Sequence, residues 1–236
     1  PIITRWVKHE QLDTVLAWIK GELEKDAQVY FISPLIEESE ALDLKNAVAL
    51  HQELTDFFGD SVTVALMHGR MKNDEKDQIM QDFKERKSQI LVSTTVIEVG
   101  VNVPNATVMV IRDAQRFGLS SLHQLRGRVG RGSHKSYCFL ESQTNNEVSV
   151  KRLEVMEKTT DGFKIAEEDL KLRNSGEILG IKQSGVSDMV FTDIVRNVKE
   201  IKKVHDFVIW YLEKNNGQIE NEFLKMDIYK KFFRAE

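Results

Sequence analysis

The chain of 236 residues has one cysteine, Cys138, so an internal disulfide is excluded, and no ligand cluster surrounds it to make it a metal site. Cys138 sits in Ser-Tyr-Cys-Phe-Leu, which reads as a buried strand. No apolar run approaches the roughly 18 residues that a membrane span needs, and no signal-peptide pattern opens the chain. Basic excess is missing as well: the net charge is −4, so any surface for a polyanion must be local. No glycine-rich loop ends in Gly-Lys-Ser/Thr, the arrangement that cradles a triphosphate. Gly127 to Gly132 has the spacing, but Ser133-His134 follows it. No carboxylate pair follows an apolar strand; Asp74-Glu75 follows a polar turn and reads as a helix start. Gly130-Arg131-Gly132 follows a helical pattern rather than a strand, which argues against a dinucleotide fold.

What is present is an ordinary globular composition, 41% hydrophobic and 30% charged, enough for one α/β core and a smaller appendage. Short apolar runs at 2–7, 28–33, 62–66, 89–93, 107–111 and 136–140 predict strands. Amphipathic stretches at 9–24, 40–58, 74–84 and 120–129 predict helices between them. Asn73 is the expected N-cap of the third. Nearly continuous apolar strands imply a parallel sheet covered on both faces, with ligands at the carboxyl ends of its strands. Behind Glu141 the strand signals vanish. A polar loop at 142–148 is followed by expected helices at 149–158, 164–172, 193–214 and 218–233. The expected boundary lies near residue 145, dividing an α/β domain (1–145) from a helical region (146–236).

The densest chemistry lies between Ala114 and Leu140, with five Lys/Arg and no Asp or Glu. Gln124, Arg128 and Arg131 stand at i, i+4 and i+7, so a continuous helix places them on one face. Leu122, Leu125 and Val129 give that helix a buried back, and Gly127 and Gly130 clear space for a phosphate near the backbone. Clustered guanidiniums without counter-charges suit a polyanion. Upstream, 90–106 begins as a strand and breaks into polar residues, where Ser93 and Thr94 can hold a phosphate oxygen and Gly100 permits close approach. His68 reads as a satisfied loop histidine and His51 as a packed one. The run 169–185 reads as a long loop with three glycines, which suggests a moving part.

Gln124-Leu125-Arg126-Gly127-Arg128-Val129-Gly130-Arg131 resembles motif VI of superfamily 2 helicases. The longer run from Arg116 to Gly132 is similar to the branch that holds the RecG fork-reversal helicases and the transcription-repair coupling factors. Residues 90–106 resemble motif V, and 28–40, ending in Pro-Leu-Ile-Glu-Glu-Ser, resemble motif IV of the RecG group. Residues 169–185 resemble that group's translocation motif, a helical hairpin and loop.

The resemblance implies a RecA-like parallel sheet with flanking helices, followed by a smaller helical region. It implies Arg128 and Arg131 as arginine fingers on ATP and Gln124 as a positioner of the γ-phosphate or water. Gly100 and Asn102 approach the nucleotide, although many relatives carry Asp where this chain has Asn102. Ser93, Thr94 and Arg70 touch the nucleic-acid backbone, while Arg152, Arg173 and Gln183 couple the motor to DNA. Asn174-Ser175-Gly176 stands where the family usually has Gly-Pro-Gly.

The expected activity is that of an ATP-dependent DNA helicase on stalled forks and branched junctions, in a bacterial cytoplasm. The opening Pro1 suggests a fragment. The first motor domain, with the ligands for Mg²⁺, and a wedge domain would precede it, leaving the fragment inactive alone. Two other readings stay open: a coupling-factor motor acting on RNA polymerase, and a non-catalytic nucleic-acid-binding module.

Overall fold

Every strand of the sheet runs parallel to its neighbours, in the order β1-β6-β5-β2-β4-β3. The computed structural model describes residues 2–34, 40–94, 103–132 and 134–178, together with 210 and 214. The strands are β1 (Ile2–Val7), β2 (Gln28–Ile32), β3 (Val64–Met67), β4 (Ile90–Ser93), β5 (Ala106–Ile111) and β6 (Ser136–Glu141). The helices are α1 (Leu12–Leu23), α2 (Glu40–Phe58), α3 (Asn73–Lys84), α4 (Leu119–Arg126), α5 (Glu147–Lys158) and α6 (Gly162–Ile178).

The central strands β2 and β5 are buried at every position, as covering on both faces requires. Side chains alternate across β2. Val29 and Phe31 pack with Leu12, Val15, Leu16 and Ile19 of α1 and with Leu50 and Leu54 of α2. Tyr30 and Ile32 face the opposite layer, with Met80 and Phe83 of α3 and Leu119, Leu122 and Leu125 of α4. Leu153 and Met156 of α5, and Ile165 and Leu172 of α6, belong to this second layer, so both helices behind Glu141 share its core. Burying one such side chain contributes about 1.5–3 kcal/mol.

Contacts divide the chain into two units, Pro1–Leu179 and Gly180–Glu236. In the second unit Trp210 and Lys214 are described. Both are exposed helical residues, with the ammonium of Lys214 4.8 Å above the indole ring. The expected helices at 193–214 and 218–233 otherwise lie outside the described residues, as does the ending of motif IV at 35–39.

Three local expectations are corrected. Lys72, not Asn73, caps α3: its backbone N–H donates to Oε2 of Glu75 at 3.0 Å, and Asn73 is already helical. The loop expected at 142–148 ends early because Asn146 caps α5, accepting from the Ser149 N–H at 3.0 Å. The loop expected from Asp169 begins as helix, since α6 continues to Ile178. With Asn174-Ser175 in place of Gly-Pro, no proline interrupts its backbone ladder.

Candidate functional site

The carboxyl ends of the central strands are tied together by backbone bonds. Ser33 N–H donates to the carbonyl of Ser93 at 2.9 Å, Thr94 N–H to Met67 at 3.3 Å, and Arg112 N–H to Ile32 at 2.9 Å. Ser93 and Thr94 therefore stand at this edge, and both are buried. Arg70 is exposed on the turn after β3, where Met71 N–H donates to the His68 carbonyl at 3.2 Å. Nδ1 of His68 is buried and has no hydrogen-bond partner among the described residues. His51 is packed on β3, donating from Nε2 to the Val64 carbonyl at 2.9 Å. Gly100 and Asn102 lie outside the described residues.

Beyond β5 the chain turns sharply. Asp113 adopts a left-handed φ of 49°, and its N–H donates to Oε2 of buried Glu141 at 3.0 Å. Arg112 donates to the same oxygen at 3.3 Å and reaches Oε1 of Glu53 at 3.4 Å. This knot aims residues 114–116, and then α4, over the second layer. Sequence reasoning missed it, although a lone Glu at the end of an apolar strand is a usable signal.

The continuous helix expected from 120 to 129 is not what forms. Helix α4 ends at Arg126, and Gly127 caps it. Arg128 N–H donates to Leu125 at 2.9 Å and Val129 N–H to Arg126 at 3.3 Å, so the chain tightens into a turn. Gly130 follows at φ 80°, a conformation open to glycine and strained for other residues. Arg128 and Arg131 thus leave a turn beyond the helix instead of its face. A Cβ on Gly130 would stand 2.7 Å from Cγ1 of Ile2, so this glycine permits packing against β1. A Cβ on Gly132 would stand 2.8 Å from the Pro104 carbonyl oxygen, so the turn rests on the segment that leads into β5.

The two arginines remain available. Gln124 and Arg131 are exposed and Arg128 is half-buried. Arg131 donates from Nε only to the Gly127 carbonyl, at 3.2 Å. Among the described residues Arg128 has no hydrogen-bond or carboxylate partner. Burial pushes the Tyr30 hydroxyl up to about 12, against the opposing pull of Arg128 and Arg131. Both guanidiniums therefore lie within electrostatic reach of Tyr30, in the middle of central β2. A pair with no carboxylate partner among the described residues fits the terminal phosphates of a nucleotide. Among the described residues no group of three or more His, Cys, Asp or Glu could hold a metal ion, and no helix is long and apolar enough to cross a membrane.

Arg126, which the sequence reading passed over, is almost wholly buried. It donates to Thr4, to the carbonyls of Met156 and Thr159, and to Nδ1 of His123. Its position was legible: it stands at i+7 from Leu119 and i+4 from Leu122, on the buried stripe. On α5, Arg152 is half-buried and its Nε lacks a partner among the described residues. The short turn 114–116 packs on α5, and Oε1 of Gln115 is likewise buried and without a partner among the described residues. Residue 173 lies on α6, its side chain outside the described ones, and Gln183 lies outside the described residues. The structure therefore gathers Arg128, Arg131 and Gln124 on one segment, with Arg152 on a helix packed behind it.

Comparison with known proteins matches residues 8–133 to the helicase conserved C-terminal domain. Residues 159–232 match the C-terminal part of domain 3 of the ATP-dependent DNA helicase RecG. The chain is 62% identical over 211 residues to RecG of Streptococcus pneumoniae serotype 4, covering 88% of this chain and 31% of that protein. It is 51% identical over 201 residues to RecG of Bacillus subtilis, covering 85% and 30%. It thus spans about a third of the length of the curated relatives it matches. Among solved structures it resembles RecG bound to a three-way DNA junction, with TM-score 0.67 and 42% identity over 84% of this chain and 25% of that one. Domain 2 of the DEAD-box helicase Mss116p, bound to an RNA duplex, shares the fold at TM-score 0.54 and 16% identity, over 73% of this chain and 69% of that one.

Proposed function

Because the chain belongs to the helicase conserved C-terminal domain family and is similar to RecG along most of its length, we propose that it is the second motor domain of an ATP-dependent DNA helicase that remodels forked and branched DNA. Residues 1–145 form the motor half in this reading. Residues 146–236 form the coupling region, whose base is built into the motor's core. The observation that carries the reading is Arg128, unpaired among the described residues, beside Arg131 on the turn after α4 and within electrostatic reach of Tyr30.

ATP with Mg²⁺ supplies the driving reaction when bound, with the metal ligands on a first motor domain elsewhere in the protein. This chain's own residues bind and orient. Arg128 and Arg131 donate to the terminal phosphates and stabilise charge that grows in the transition state. In phosphoryl-transfer enzymes such arginines contribute roughly 10³–10⁵ in rate. Gln124, exposed at the last turn of α4, orients the γ-phosphate or the attacking water. Gly100 and Asn102 approach the nucleotide from motif V. Ser93, Thr94 and Arg70 hold the DNA backbone, contacts that carry register rather than sequence. Arg152, Arg173 and Gln183 pass the motor's stroke to duplex DNA. A wedge domain of the same protein completes the assembly, acting in a bacterial cytoplasm at the nucleoid.

The match of residues 159–232 to RecG domain 3 favours this over a coupling-factor motor that pushes RNA polymerase. The arginine pair on the turn after α4, without a carboxylate partner among the described residues, favours a motor over a simple binding module, which has no use for a nucleotide-facing constellation. The test is ATP turnover of the chain alone and of the full-length protein, with and without forked DNA. Turnover and fork unwinding should belong to the full-length protein only. DNA-stimulated turnover by the purified chain alone would refute the division of the site.

A further inference from the structure

Among the fully buried side chains of the described core, Arg126 is the largest, with 2% of its surface exposed. Withdrawing a guanidinium from water is costly unless it is paired and fully hydrogen-bonded. No carboxylate pairs with it among the described residues. Instead its Nη1 donates to Oγ1 of Thr4 at 3.2 Å, to the Met156 carbonyl at 2.7 Å and to the Thr159 carbonyl at 2.9 Å. Nη2 lies 3.1 Å from Nδ1 of His123. A guanidinium only donates, so Nδ1 accepts and the neutral ring carries its proton on Nε2.

Two of these acceptors have a common origin. Met156 lies in the last turn of α5, and Thr159 is the residue that ends it. Carbonyls there carry the negative end of the helix dipole and are left without helical donors. The cation thus replaces the missing donors. At the same connection, the His123 ring presses against Gly162, the first residue of α6. A Cβ at 162 would stand 3.1 Å from Nε2. Helix α4 therefore holds the α5–α6 connection through both Arg126 and His123. A further bond runs from the Ser120 hydroxyl to Oδ2 of Asp169 on α6, at 3.3 Å.

Arg126 is also the last helical residue of α4, directly before Gly127 and the turn that carries Arg128 and Arg131. We propose that Arg126 is a positioning residue: it fastens the phosphate-facing turn to the α5–α6 connection, so that the two move as one body. The proposal rests on the motor reading above and deepens it. It places the mechanical joint in the back of motif VI, in a side chain that touches neither nucleotide nor DNA.

The test uses full-length protein and measures ATP turnover, fork unwinding and thermal melting on the same preparations. Arg126→Lys keeps the charge but offers one nitrogen where the guanidinium spans acceptors on β1, α4 and the end of α5. Unwinding per ATP should fall by about tenfold, the scale of one lost charge-assisted hydrogen bond. Thr4→Val removes a single acceptor at nearly constant volume and should lower the same ratio to a smaller extent, which keeps the test decisive if Arg126→Lys fails to fold. An unchanged ratio overturns the proposal, whether both activities persist or both decline together with melting temperature. If the unmodified protein hydrolyses ATP without unwinding forks, the motor reading fails and this inference with it. An active unmodified protein with an unchanged ratio in the variants overturns this inference alone.

Discussion

Asp113 is held in its left-handed conformation by Glu141, whose Oε2 accepts the Asp113 N–H at 3.0 Å. The carboxylate belongs to the end of β6 and the amide to the end of β5, so one side chain sets the angle at which the chain leaves the sheet toward α4. Glu141 also takes Arg112 at 3.3 Å and is almost fully buried.

Glu141→Gln should therefore destabilise the fold by about 1–3 kcal/mol, because a neutral amide leaves the Arg112 guanidinium without its buried counter-charge. Chemical denaturation of the chain measures this directly. A midpoint equal to that of the unmodified chain would show that the knot is dispensable.

Stability should also depend on pH through His123. Burial lowers its pKa from 6.5, and the neighbouring Arg126 lowers it further. The folded state thus binds a proton less readily than the unfolded chain, so stability rises with pH across this window. It should be at its full value above about 6.5, the unfolded value, and decline as pH falls from there toward the lower folded pKa. His123→Gln should flatten that part of the profile. Melting curves between mildly acidic and neutral pH test it, and an equal slope in the variant would contradict it.

Much of this was legible in the sequence, for reasons that differ by element. Helix α2 follows the expected limits because its apolar spacing is uninterrupted from Glu40 to Phe58. The six strands appear because central strands such as β2, β4 and β5, buried throughout, leave continuous apolar runs, and the partly exposed edge strands β1 and β3 still carry short apolar ones. The segment around Arg128 was misjudged because periodicity continues on paper through Gly127 and Gly130, whereas the backbone stops at the first and turns left-handed at the second. Arg126 was overlooked because charge suggests surface. Only the assembled fold reveals that two carbonyls at the end of α5, 30 and 33 residues away, can serve it. The same blindness applies to Gly132, whose neighbour Pro104 is distant in sequence.

Changes in the coupling region should separate two activities. Arg173→Ala and Gln183→Ala in the full-length protein should preserve most DNA-stimulated ATP turnover while losing most fork unwinding. These positions follow α4 in the chain by more than forty residues, and the resemblance assigns them to the hairpin and its loop. A surface role predicts no change in either activity, and a nucleotide role predicts that both fall together. Unwinding per ATP at the unmodified ratio would exclude coupling.

The central claim is that the turn after α4 presents its arginines to a nucleotide. Its most direct measurement is the ATP turnover of full-length Arg128→Ala and Arg131→Ala, alongside fork affinity on the same preparations. Turnover should fall by roughly 10³-fold or more, as for arginines that stabilise transition-state charge, with fork binding largely retained. Weakened DNA binding with normal turnover would contradict this and assign both arginines to the nucleic-acid face.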